Sequence, residues 1–135
     1  MKRNFTLTLL LLFVALIFAA PLSAQDPWVY RDNPRWDRSW NNRPLPQRGA
    51  CFFTDRNFRG NRFCVRAGDR LSSLPGGFGD NISSIQLFNA GVRVFDNRNF
   101  GGHSAEIRRS MADLRNRRLG GGHTWNNRIS SIAVQ

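Results

Sequence analysis

A chain of 135 residues has room for one domain with a single modest core and none for a second full domain. Its formal charge of +11 makes polyanions the partners that long-range electrostatics favours. With His103 and His123 as the only histidines and Glu106 as the only glutamate, a Ser-His-Asp or Cys-His constellation cannot be assembled with conviction, so a non-enzymatic protein is expected.

The chain opens with "MKRNFTLTLLLLFVALIFAAPLSAQ", in which Lys2 and Arg3 precede an apolar run to Ala20 and small residues ending at Ala24. This is the pattern of a secretory signal peptide, here residues 1–24; an uncleaved membrane anchor is the weaker alternative. Cleavage after Ala24 predicts a secreted or periplasmic protein with no transmembrane helix. Loss of Lys2 and Arg3 lowers the charge from +11 by two, to +9, and leaves arginine as the sole basic side chain besides the histidines. The arginines are scattered, with only "RNRR" at 115–118 as a short run, so a solvated surface is favoured over a specific nucleic-acid site.

Residues 25–49 mix Trp28, Trp36 and Trp40 with arginine, aspartate, asparagine and four prolines, and show neither helical nor alternating periodicity. The segment reads as an extended arm or linker, dispensable for folding and able to touch a polymer by stacking and charge. Tryptophans folded back on the domain are the equal alternative.

From Ala50 onward the pattern becomes regular. "CFFTD", "NRFCVR", "SSIQLF", "VRVFD", "HSAEIR" and "SSIAVQ" are short apolar, aromatic or β-branched runs bounded by Gly, Asn, Asp and Pro, which predicts an all-β domain over 50–135. One helical turn or two is expected in "SMADLRNRR", with Ser110 as N-cap. Cys51 and Cys64 close a short segment in an oxidising compartment and most simply form one disulfide, stabilising by roughly 3 kcal/mol. A metal or redox pair lacks the CxxC spacing and further thiol ligands.

The domain repeats itself. "FTDRNFRG" at 53–60 returns as "FDNRNFGG" at 95–102, and "DNISSIQL" at 80–87 returns as "NNRISSIAV" at 126–134, with a longer middle loop in the second half. Duplication on this scale means two supersecondary units that bury a face against each other. Gly60 and Gly102 let each hairpin fold over, and Phe53 with Phe58, and Phe95 with Phe100, can pack beneath it.

At these residues the chain resembles the βγ-crystallin family, whose Greek-key motif carries an aromatic, four residues, a second aromatic, one residue and glycine. The resemblance implies two Greek keys in one β-sandwich preceded by an arm, with Ser84 and Ser131 hydrogen-bonded to the folded hairpins. It also implies calcium. Microbial members write Asn or Asp twice, two variable residues, Ser or Thr, then Ser; "NNRISS" fits throughout, while "GDNISS" departs at Gly79. By the family's pattern one site would join Ser130, the Thr54 carbonyl and the loop of Gly79, Asp80 and Asn81. The other would join Ser83, the Asp96 carbonyl and the loop of Asn126 and Asn127, where Arg128 cannot ligate. Both are expected to be weak, the first the stronger. The plain alternative is that Asp and Asn end a loop and the serines satisfy backbone groups.

Two other functions stay open. A disulfide across the first hairpin is similar to that of secreted crystallin-like protease inhibitors, for which "RRSMADLRNRRLGGGH" is the candidate docking segment. An acidic polymer of the envelope or matrix is the other partner considered. The glycines at 120–122 are not followed by the Lys-Ser/Thr of a phosphate loop. A monomer is expected.

Overall fold

The computed structural model describes residues 35–135; the expected signal peptide and the first part of the arm lie outside them. Nine strands and two short 3-10 turns follow one another, with no α-helix among the described residues. The first sheet contains β1 (Gly49–Asp55), β2 (Arg59–Arg66) and β4 (Ser84–Phe88) in the order β2-β1-β4. The second contains β3 (Arg70–Leu71), β5 (Val92–Phe95), β6 (Ser104–Ile107) and β9 (Ser131–Val134) in the order β3-β9-β5-β6. A small hairpin, β7 (Arg118–Gly120) with β8 (His123–Thr124), stands apart. All named pairings are antiparallel.

Each half of the chain lends a segment to the other half's sheet. β3 leaves the first half and pairs with β9, Leu71 opposite Ile132. In return Met111 leaves the second half and bridges Ile85 on β4, exchanging N–H···O bonds of 2.8 and 2.9 Å. The same reciprocity ties the folded hairpins, where Asn57 N–H donates to Ala112 O and Asn99 N–H to Ser72 O, both at 2.8 Å. The expected all-β double Greek key is therefore present, closed by exchange.

Strand alternation decides what lies inside. Phe52, Phe63, Val65, Ile85, Val92, Val94, Ile132 and Val134 meet between the sheets, joined by Phe78, Ile82, Leu114, Trp125 and Ile129 from the connections. Phe52 stacks on Phe63 with centroids 4.9 Å apart, and Phe78 meets Phe63 edge-on at 4.8 Å. The opposite face of the first sheet buries a smaller cluster, Cys51, Cys64 and Phe53, flanked by Phe58 and Phe88. Cys51 and Cys64 sit directly opposite one another on β1 and β2, Cα atoms 4.0 Å apart, and form the disulfide.

In the described part of residues 25–49, the tryptophans fold back. Asp37 caps a 3-10 turn, Arg38–Asn42, that drives Trp40 into the main core at 4% exposure. Trp36 meets Phe78 edge-on at 5.5 Å. β2 is an edge strand, and the arm closes part of that edge: Arg62 N–H donates to Asn41 Oδ1 at 2.9 Å and Arg62 C=O accepts from Trp36 Nε1 at 3.0 Å. The Arg62 guanidinium reaches back to the carbonyls of Asn41 and Arg43 at 2.8 and 2.7 Å. An unpaired edge is a template for stray pairing, and this covering removes it locally.

The segment "SMADLRNRR" forms less helix than expected, and from a different cap. Its 3-10 turn is only Leu114–Asn116 and its N-cap is Asp113, which accepts from Arg115 N–H at 3.0 Å. Ser110 is occupied elsewhere, accepting from Leu87 N–H at 2.9 Å. The backbone of Met111 is instead bridged to Ile85 on β4.

Candidate functional site

The folded hairpins come first, because they place the loops. Asn57 and Phe58 take φ of 60° and 59°, and Asn99 and Phe100 take 57° and 59°. A phenylalanine in this region is strained and must be held by its surroundings. Ser84 Oγ accepts from Phe58 N–H at 3.0 Å and donates to Asp55 O at 2.6 Å. Ser131 repeats this with Phe100 N–H and Asn97 O at 3.0 and 2.6 Å. Both serines are fully buried. A Cβ on Gly60 would strike Thr54 Oγ1 and the Asp55 carboxylate, and one on Gly102 would strike the Asp96 and Asn97 side chains.

Two pseudo-equivalent clefts lie between the motifs. Asp80 N–H donates to Ile129 O at 3.1 Å, and Asn127 N–H donates to Ile82 O at 2.9 Å. Both residues take left-handed φ, 54° and 55°, which the short polar Asp and Asn side chains tolerate. Their side chains then cross to the opposite motif: Ser130 Oγ donates to Asp80 Oδ1 at 3.1 Å and Ser83 Oγ to Asn127 Oδ1 at 3.3 Å. Gly79, Asp80 and Ser130 share a cleft of about 290 Å³ with Arg98. Thr54, Ser83 and Asn126 share one of about 330 Å³ with Asp55, Arg56 and Arg115.

The expected grouping changes at three residues, Thr54, Asp96 and Asn81. Thr54 lines the cleft of Ser83, not that of Ser130, because β1 runs beside β4 and Ser83 N–H donates to Phe53 O at 2.9 Å. By the same geometry Ser130 N–H donates to Phe95 O at 2.9 Å, which sets Asp96 next to Ser130. Asn81 does not line the first cleft; its Nδ2 donates to Gly77 O at 3.0 Å, within its own loop. The Asp96 carboxylate is occupied by His103, through the backbone N–H at 2.7 Å and Nδ1 at 2.9 Å. Arg128 is drawn off to His123 Nδ1 at 3.0 Å.

The sequence reading missed Arg56, Asp113 and Arg115. Asp113 accepts from Arg115 at 2.7 Å and lies 3.9 Å from Arg56. The hydrogen bond from Arg115 holds the Asp113 carboxyl below its ordinary range, and the same bond raises the Arg115 guanidinium. Nothing in the spacing signals this, since Arg115 arrives on the inserted segment.

The oxygen chemistry fits a hard cation. Among the described residues no group of three or more His, Cys, Asp or Glu gathers to hold a metal, so any ion would rest on carbonyl, amide, hydroxyl and single carboxylate oxygens, which suits calcium rather than zinc. In the second cleft Asn126 Oδ1 is buried without a hydrogen-bond partner, an acceptor that such an ion would satisfy.

Elsewhere, His103 and His123 are engaged by Asp96 and Arg128, and neither bonds a hydroxyl among the described residues. Segment 108–123, considered above for protease docking, is pinned by the Met111 bridge and the fully buried Leu114.

No protein-family model matches the chain, and no curated protein sequence does. Solved structures do. A βγ-crystallin from Ciona intestinalis superposes with a TM-score of 0.52 at 26% identity, over 64% of this chain and 99% of that one. A βγ-crystallin domain from Flavobacterium johnsoniae gives 0.52 and 26%, over 64% and 92%. The Ca2+-bound βγ-crystallin domain of Abundant Perithecial Protein from Neurospora crassa gives 0.53 at 22%, over 68% and 92%. With its duplicated folded hairpins, serine ties and exchanged strands, the described domain has the βγ-crystallin fold of two Greek keys.

Proposed function

We propose that this domain is a secreted or periplasmic, non-enzymatic structural module that binds calcium weakly and unequally at its two inter-motif clefts. The observation that carries the reading is the crossed pair of each cleft, Ser130 with Asp80 and Ser83 with Asn127, which presents oxygens from both motifs to one point. A neighbour in fold was solved in its Ca2+-bound form. Calcium would act as a clasp between the two halves. Asp80 and Ser130, with Gly79 beside them, would hold the stronger ion, since their pair carries a carboxylate. Ser83, Asn126, Asn127 and Thr54 would hold the weaker, with amide and hydroxyl oxygens beside Arg56 and Arg115.

Dissociation constants on the order of 0.1–1 mM are expected for extracellular sites of such low ligand charge, and occupancy raises the melting temperature by mass action. Titration calorimetry on the signal-free protein tests this. Ser130→Ala is expected to weaken the tighter binding step several-fold, while Ser83→Ala alters the weaker step. Absence of both heat and a melting shift in about tenfold calcium excess over that range would leave the clefts as architecture alone.

A further inference from the structure

We propose that the face built by β6 and the segment after it binds an acidic polysaccharide. Two hollows, of about 690 and 510 Å³, open on either side of Arg108, Arg109 and Ser110, which line both. The two adjoin along this shared wall, with Asn89 lining the first and Asn116 and Arg117 the second. Such a double groove offers room for successive units of a chain rather than for a single ion.

The groove is charged in one direction. Its one acidic side chain, Glu106, is already taken by Arg93 at 2.6 Å and Arg108 at 2.7 Å. Arg117 Nη2 leans on Glu106 O at 3.3 Å, a contact that fixes it without neutralising it. Arg109 is exposed and makes no ion pair or hydrogen bond among the described residues. Guanidinium groups present a planar fork that pairs bidentately with carboxylates and binds sulfates. The same hollows are lined by neutral groups suited to sugar hydroxyls: the amides of Asn89 and Asn116, and Ser110 Oγ, which accepts from Leu87 N–H and can still donate its proton.

The same lining argues against the other polyanions. No aromatic side chain borders either hollow, so unstacked nucleobases would find no platform. A bilayer would need a protruding apolar surface, and the exposed large hydrophobic among the described residues is Leu45, outside the groove. A sugar polymer with sulfate or uronate groups has the charge and hydroxyls that this groove matches.

The test uses a labelled heparin-derived decasaccharide and an oligogalacturonate of equal length, titrated into the signal-free protein at several salt concentrations. Binding that weakens with salt is expected for one or both, and which one identifies sulfate or uronate as the preferred group. Arg109→Ala, which removes no internal contact, is expected to weaken binding roughly fivefold, and Arg109→Ala with Arg117→Ala roughly 20-fold. Arg59→Ala, an exposed cation on β2 outside the groove, is expected to change it less than about twofold, and the melting temperature of Arg109→Ala should be unaltered. The proposal is overturned if neither sugar binds, or if Arg59→Ala weakens binding as much as Arg109→Ala. Equal affinity for oligothymidylate or for phosphatidylglycerol vesicles, lost to the same extent in the double variant, overturns it as well.

Discussion

Ser84 and Ser131 show how much one side chain can hold. Each satisfies a backbone N–H of a left-handed phenylalanine and a carbonyl of the same hairpin, in a place water does not reach. Alanine there would leave both groups unpaired, so Ser84→Ala and Ser131→Ala are each expected to lower stability by about 1–3 kcal/mol, measured by urea unfolding. Gly102→Ala should be at least as damaging, since the new methyl must displace Asp96 and Asn97 at a φ that alanine resists. The glycine role was legible in the sequence because it occurs twice at matching positions, and the serine ties followed from the family resemblance that those repeats carry. The partners of Thr54 and Asn81 were not legible. Which cleft Thr54 faces depends on β1 lying beside β4, and Asn81 is turned away by the Gly77 carbonyl in its own loop.

Among the elements, the segment before β1 departs most from its composition. It has no amphipathic period because it neither forms a long helix nor alternates as a strand; it inserts Trp40 into the core and completes the edge of β2 by hydrogen bonds. Such packing leaves no periodic trace for a sequence reading to follow. Trp40→Ala is expected to cost about 3–5 kcal/mol, and deletion of residues 25–49 to depress the melting temperature and promote self-association through the uncovered edge, readable by light scattering. An unchanged melt on deletion would mean that the 3-10 turn contributes nothing to the core.

Two surface carboxylates held by arginines add a pH dependence at this scale. Arg93 first and Arg108 next hold Glu106 below its ordinary 4.5, and Arg115 holds Asp113 below its ordinary 3.8. A carboxyl lowered on folding stabilises above its unfolded pKa and loses that contribution as pH falls through its folded one. The melting temperature is therefore expected to be insensitive to these groups near neutrality and to fall once pH drops below about 4. The decline attributable to Glu106 should be small, because the pairs are solvated, and should vanish in Glu106→Gln.

At the scale of the whole molecule, the class and the duplication could be read from short runs and from the doubled hairpin motif, since strand alternation and glycine geometry are local. The exchange of β3 and Met111 between sheets could not, for it joins residues such as Leu71 and Ile132, or Ile85 and Met111, through pairings set by the finished sandwich. That exchange has a consequence for the order of events when the chain folds. Neither half owns all the strands of its own sheet, so residues 49–90 or 91–135 alone should show no cooperative transition, and mixing them should restore one. Folding of the intact domain is expected on the millisecond to second scale typical of non-local β topologies. The β1–β2 hairpin alone is local and carries both cysteines. In refolding of the chain with its Cys51–Cys64 bond already formed, pulsed hydrogen exchange should show the β1–β2 amides protected before Trp125 is buried, so that a covalently fixed hairpin waits, unsupported, for the last strand, β9, to arrive.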